Sequence, residues 1–385
     1  MRNAVKRAGK LAWAGVALAL LAGCSSLNPF ASPPRNPPAA LVNFKTTLNV
    51  RTAWSTGVGG AGVFVFSPAF ADGGVFVAAA DGTIARLDPA NGHQVWRINA
   101  DTHLTAGVGS DGHTVAVAGE KGAVLAFDAD GKLRWKAQTS SEVLAPPTVG
   151  QGLVIVRSVD DRIEAFDAES GSRRWTVQRT APALTLRTAS AIVIAGPTAF
   201  VGLPGGRLLA LALSNGGPRW EISVGDPKGA TELERVADIA GAPVAIGRDV
   251  CAVSYQGRVG CFDAASGAPR WTKDLSSDVG LGADERFIFA ADEHGSIVAF
   301  SREGGASVWR NKQLANRRLS TPVSFGRAIA VGDGQGYVHF LSREDGSFLA
   351  RVGTDGSPIN AAPLVTDTQV IFQTQSGTVV ALAIE

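Results

Sequence analysis

Apolar residues in this chain come in short alternating runs, each opened by a turn residue and closed by an aspartate or a small residue, and the runs recur at a nearly fixed period. Gly82-Thr-Ile-Ala-Arg-Leu-Asp88-Pro-Ala-Asn-Gly92 leads to Trp96. The same order of turn residue, apolar strand, aspartate, glycine and tryptophan runs from Gly122 through Asp128 to Trp135, from Asp161 through Asp167 to Trp175, and from Gly257 through Asp263 to Trp271. Weaker copies run from Gly206 to Trp220, Gly295 to Trp309 and Gly336 to Ala350. The eight starts, Gly82, Gly122, Asp161, Gly206, Gly257, Gly295, Gly336 and Gly377, are spaced 40, 39, 45, 51, 38, 41 and 41 residues apart. Alternation within a run such as Ala123-Val-Leu-Ala-Phe127 predicts a strand. The long period predicts stacked units, each unable to bury its apolar face alone.

The last copy, Gly377-Thr-Val-Val-Ala-Leu-Ala383, has no tryptophan half, and that half stands at the other end as Leu48-Asn-Val-Arg-Thr-Ala-Trp54. First and last pieces that complete one another predict an all-β fold, an eight-bladed β-propeller closed by pairing of its N- and C-terminal strands. In each phrase the aspartate starts a turn and bonds nearby amides. Trp54, Trp96, Trp135, Trp175, Trp220, Trp271 and Trp309 then pack between neighbouring blades, each with an indole N–H that needs a partner. Ala212, Ser301, Ser342 and Ala383 replace the aspartate, and Ala350 replaces the tryptophan. A phrase that tolerates such losses is structural, not catalytic.

Composition agrees with a folded β protein: 45% hydrophobic, 18% charged, with 46 glycines. Residues 1–23 carry Arg2, Lys6, Arg7 and Lys10 and no acid, so their removal takes the formal charge from +2 to −2. No basic bias remains to attract nucleic acid. Those residues have the layout of an export signal, a basic start followed by a short apolar run from Leu11 to Ala22. The run ends in Leu21-Ala22-Gly23-Cys24, which resembles a bacterial lipobox with Cys24 as the lipidated N-terminus. Acyl chains on Cys24 would hold the protein to a membrane. In lipoprotein sorting, as this resemblance implies it, Ser25 in place of aspartate favours the outer membrane. Residues 24–43, with Pro33-Pro34 and Pro37-Pro38, read as an extended tether, and 44–385 as the propeller. Cys251 and Cys261 flank a hairpin turn in a chain expected to be exported. They can join only if the register sets them opposite, because a one-residue shift turns them to opposite faces. No cysteine or histidine spacing suggests a metal site, and no phosphate loop or nucleophile elbow occurs.

Function is expected in loops on a rigid scaffold. Two consecutive connections are longer than the rest: Trp175 to Gly206 takes 31 residues and Trp220 to Gly257 takes 37. The first holds Pro182-Ala-Leu184-Thr-Leu186-Arg187. The second holds Glu232, Glu234, Arg235 and Val236-Ala-Asp238-Ile-Ala240. Apolar residues edged by charge suit a protein-binding surface, whereas simple alternation would turn Leu184 and Leu186 inward on a strand.

The lipobox, the proline-rich tether and the eight tryptophan repeats together resemble the BamB family, lipoproteins of the outer-membrane β-barrel assembly machine, over nearly the whole chain. The most specific part is the Leu184-Thr-Leu186-Arg187 stretch. The resemblance implies a non-catalytic scaffold in the outer membrane that grips the periplasmic POTRA domains of BamA and helps deliver or orient unfolded outer-membrane proteins. It needs no cofactor. It implies that Leu184, Leu186 and Arg187 contact BamA and that a pair of acids on the next loop also faces it. Asp238 matches the first acid, and Ala240 stands where the second would be. The repeat phrase also resembles the docking motif of quinoprotein dehydrogenases, and a third reading is an exported polysaccharide- or peptide-binding propeller outside barrel assembly, against which the Leu184-Thr-Leu186-Arg187 loop argues. Against the enzyme stand the missing adjacent cysteine pair and the absence of a dense Asp, Glu and Asn cluster outside the repeats.

Overall fold

The structure, a computed structural model, describes residues 36–180, 182–186, 190–226 and 229–385. Cys24, the export segment and Arg187 lie outside the described residues. Eight four-stranded antiparallel sheets form the eight blades of the propeller. Seven are built from consecutive strands; the first blade, for example, uses Ala69–Ala71, Gly74–Ala78, Thr83–Leu87 and Gln94–Asn99, innermost to outermost. The eighth combines Leu364–Val365, Val370–Gln373 and Thr378–Ile384 with Val50–Gly57 from the other end of the chain. Val50 pairs with Ile384 and Gly57 with Thr378, so the two ends close the ring by backbone bonds along a whole strand.

The apolar core is a ring of junctions. Middle strands are apolar on both faces because each packs against a blade on either side. Val75, Val77 and Leu87 of the first blade meet Ile371, Val379 and Trp54 of the closing one. Phe200 and Leu208 meet Val250 and Phe262 between the fourth and fifth. Phe340 meets Phe372 and Leu382 between the seventh and the closing blade. Burying one such side chain contributes roughly 1.5–3 kcal/mol.

The tryptophans lock these junctions in one repeated way. Each indole N–H donates to a carbonyl in the outer hairpin turn of the next blade: Trp54 to Pro89 at 2.8 Å, Trp135 to Ala168 at 3.0 Å, Trp175 to Leu213 at 2.8 Å and Trp309 to Arg343 at 2.9 Å. Trp96, Trp220 and Trp271 do the same with Ala129, Ala264 and Arg302. The ring lies on the second glycine of that turn. A Cβ on Gly92 would sit 2.5 Å from Trp54, and one on Gly346 would sit 2.4 Å from Trp309. A β-bulge at the residue before the tryptophan, such as Val95, Arg134 or Val308, helps aim the ring across the junction. The turn aspartates accept hydrogen bonds from Lys132, Ser170 and Ser266, which hold the Asp128, Asp167 and Asp263 carboxyls below the usual range.

Two further features sit on this frame. Cys251 is directly opposite Cys261 in its hairpin, with Cα atoms 4.0 Å apart, and a disulfide joins them. Packed chain also begins earlier than residue 44. Ala39 N–H donates to Ala315 O at 2.8 Å, Arg317 reaches back to Ala39 O, and Arg351 donates to Val42 O at 3.0 Å. Phe44 stacks on Phe348 with centroids 5.2 Å apart. Residues 39–48 therefore form a strap against the seventh blade, and proline ends it only at Pro38. Pro38–Glu385 forms one compact unit that contains the strap and the closed ring.

Candidate functional site

Antiparallel strands put all connections from an outermost strand to the next innermost strand on one rim, together with the hairpins between second and third strands. Both long loops are such connections. Residues 179–191 link Arg173–Gln178 to Ile192–Ala195, and residues 224–243 link Pro218–Ser223 to Val244–Ile246. They flank the fourth blade on the same rim.

Leu184 and Leu186 belong to no strand and are 47% and 38% exposed. The inward-strand alternative does not hold: the leucines present apolar surface to solvent. Their loop is fixed from below. Asp238, only 2% exposed, accepts the Leu186 N–H on Oδ2 at 2.6 Å and the Gly205 N–H on Oδ1 at 3.3 Å. Its own carbonyl accepts from Tyr255 N–H at 2.8 Å, which ties it to the fifth blade. Burial raises the Asp238 carboxyl above its usual range, against the pull of those two N–H groups.

Asp238 shares a small pocket beneath the loop with Arg157, Asp161 and Thr185. Asp161 occupies the repeat position that is glycine in the other blades, holds φ of 58°, and is paired to Arg157 at 2.9 Å. Burial raises its carboxyl as well, with Arg157 opposing. Arg157 therefore sits between two buried acids and lowers both.

The expectation that Asp238 faces a partner is corrected by this geometry. Its carboxylate points inward because two backbone N–H groups need it there, and it braces the leucine loop without touching the surface. Ala240 is 1% exposed and packed in the junction core with Cys251 and Val253. A carboxylate at that position would be desolvated.

The exposed chemistry of the second loop lies elsewhere. Glu234 Oε2 accepts from Ala230 and Thr231 N–H at 2.7 and 3.1 Å, and Thr231 Oγ1 accepts Glu234 N–H at 3.3 Å. This reciprocal cap folds a tight turn. It leaves Leu233 71% exposed, beside the paired Glu232 and Arg235. Leu233 was missed in the sequence, although the Thr-x-x-Glu spacing around it was there to be read.

No group of three metal-binding side chains occurs among the described residues. The polar cluster of Asp333, His339 and Arg317 is 0%, 0% and 4% exposed, so it is covered from solvent.

A family model described as outer membrane protein assembly factor BamB matches residues 49–99, 80–311 and 293–385. The outer membrane protein assembly factor BamB of Bordetella pertussis is 44% identical over 99% of this chain and 98% of its own length. That of Burkholderia pseudomallei is 42% identical over 97% and 98%. The chain belongs to the BamB family. The crystal structure of BamB from Moraxella catarrhalis superposes with a TM-score of 0.80 at 27% identity, over 87% of this chain and 100% of that one. A quinohemoprotein alcohol dehydrogenase from Comamonas testosteroni gives a TM-score of 0.69 at 14% identity, over 87% of this chain and 76% of the enzyme, which is a likeness of fold alone. BamB relatives are outer membrane assembly factors, so the chain is associated with the outer membrane and its assembly machinery.

Proposed function

We propose that this chain is a non-catalytic scaffold, lipidated on Cys24 at the periplasmic face of the outer membrane, that binds the POTRA domains of BamA through the loop 179–191. The observation that carries this reading is the exposed Leu184 and Leu186 pair held on a loop whose backbone is braced by Asp238. Apolar anchors on a pre-ordered loop lose little entropy on docking. Leu184 and Leu186 would bury against the partner, and Arg187 would pair with one of its carboxylates. Leu233, on the neighbouring loop, adds an apolar contact beside Glu232.

The test is a titration of residues 38–385 with purified BamA POTRA domains. Truncating a desolvated anchor commonly costs about 2 kcal/mol or more. The triple substitution of Leu184, Leu186 and Arg187 by alanine should therefore abolish measurable binding while the melting curve stays that of the wild type. Undiminished affinity would remove the loop as the binding site. Lipidation is checked separately by metabolic palmitate labelling, which Cys24→Ser should eliminate.

A further inference from the structure

All eight rim connections reach the propeller axis, where they enclose a cavity of about 770 Å³. Leu144, Pro146, Val279, Leu281 and Val323 give it an apolar wall. Val63 also lines it and is 90% exposed, so it forms part of an open mouth. It follows a glycine-rich stretch in which Gly59 and Gly62 adopt left-handed φ values of 129° and 62°. The charged side chains that line the cavity are Glu142 and the exposed Asp278; no lysine, arginine or histidine among the described residues does so.

We propose that this cavity is a second binding site, distinct from the Leu184 and Leu186 pair although Ala191 of the same loop lines it, whose occupant is an extended peptide segment with apolar side chains flanking a lysine or arginine. Charge decides between ligand classes. An anionic occupant, whether a phosphate, a carboxylated cofactor or a lipid headgroup, would meet two acids and no base at the wall. A cation would meet complementary charge at Asp278, with apolar surface immediately inside. Size decides the rest. The volume lies within the ~300–1,000 Å³ typical of clefts for small ligands, so it takes a few side chains and not a folded domain. The rim would then hold a folded partner at its edge and an extended segment at its centre, each by its own residues.

The experiment is a fluorescence anisotropy titration of residues 38–385 with two labelled decapeptides, one of alternating leucine and lysine, the other of alternating leucine and glutamate. The lysine peptide should bind saturably, and the glutamate peptide at least about tenfold more weakly. Asp278→Lys should weaken the lysine peptide by about tenfold or more with unchanged melting, since the side chain is exposed. Leu184→Ala with Leu186→Ala should leave peptide affinity unaltered. The proposal falls if neither peptide saturates, if both bind alike, or if the leucine pair and not Asp278 controls the affinity. Because POTRA binding is read out on the leucine pair, that interaction and this one fail independently.

Discussion

Asp238 and Leu186 lie 52 residues apart in sequence and are joined by a 2.6 Å hydrogen bond from the Leu186 backbone to the Asp238 carboxylate. The bond couples the two long loops of the rim, so one loop shapes the surface that the other presents. A buried acid below an exposed apolar pair acts on binding through loop geometry and not through contact.

Asp238→Ala leaves the Leu186 and Gly205 N–H groups without their acceptor, at a cost of about 1–3 kcal/mol for buried groups. The loss should be local. Hydrogen exchange at the Leu186 amide should accelerate strongly, melting should drop slightly, and POTRA affinity should fall although Asp238 is covered. Asp238→Asn keeps one acceptor oxygen, enough for the Leu186 N–H, while its amide NH2 would face the Gly205 N–H, so it should restore only part of the affinity. If asparagine is as damaging as alanine, the Leu186 bond alone does not hold the loop in its binding shape.

The second glycine of each outer turn is fixed by the tryptophan above it as well as by its backbone. Gly92 has φ of 72°, and a Cβ there would lie 2.5 Å from the Trp54 ring. Gly73 has φ of 63° with open space around the same position. Alanine carries the left-handed backbone penalty at both sites, roughly 1–2 kcal/mol. Only at Gly92 must it also displace an indole, so Gly92→Ala should be worse than Gly73→Ala by about 1–3 kcal/mol in urea unfolding. Equal losses would show that the ring yields at no cost.

The ring, its blade count and its closure were legible in the sequence because each depends on local alternation and on a repeated phrase. Ala350 was legible only as a tolerated loss. Its reason lies in the topology: a tryptophan there would dock on the outer turn of the closing blade, and that blade has no such hairpin turn, because its outer two strands, Thr378–Ile384 and Val50–Gly57, are far apart in sequence. Leu48 of the strap fills the space instead, packed with Leu349, Ala350 and Leu382. The inward turn of Asp238 was equally hidden, since it needs N–H groups from two other segments of chain. The reach of the strap into residues 39–43 was masked by proline-rich composition, while the arginines that hold it, Arg317 and Arg351, lie far away in sequence.

Restoring the repeat at this position should therefore harm the protein. Ala350→Trp forces a large ring into a site that Leu48 already fills, and overpacking costs typically about 1–3 kcal/mol. Leu48→Ala alone should cost about 2–5 kcal/mol as a cavity. The double variant should be more stable than the sum of the two losses predicts, because each change relieves the other. Strict additivity in denaturant unfolding would mean that the two residues do not share the site.

The strap should also respond to pH through His339. Asp333 Oδ2 accepts from Arg317 and from His339 Nε2 at 2.7 and 2.8 Å, and His339 Nδ1 accepts from Arg351 Nε at 3.3 Å. Neutral His339 thus has both ring nitrogens matched, whereas a second proton would face the Arg351 guanidinium. Burial chiefly lowers its pKa; Asp333 opposes this, and Arg351 and Arg317 reinforce it. Tyr337 lies beside the cluster, under the Arg317 guanidinium. An unfolded histidine takes up its proton as pH falls through about 6.5. The folded one resists to lower pH, so the unfolded state binds more protons in that window and stability declines with acidification. The contribution is intact above the ordinary histidine value and is lost below it. Denaturant unfolding should show wild type less stable at pH 5.5 than at pH 7.5 by more than His339→Gln, which keeps a donor for Asp333 and an acceptor for Arg351 but does not titrate. Because Arg351 also holds Val42 O, the same acidification should lower the hydrogen-exchange protection factors, taken relative to the intrinsic rate at each pH, in residues 39–48 of the wild type ahead of the blades. Identical pH slopes in the two proteins would remove His339 as the source.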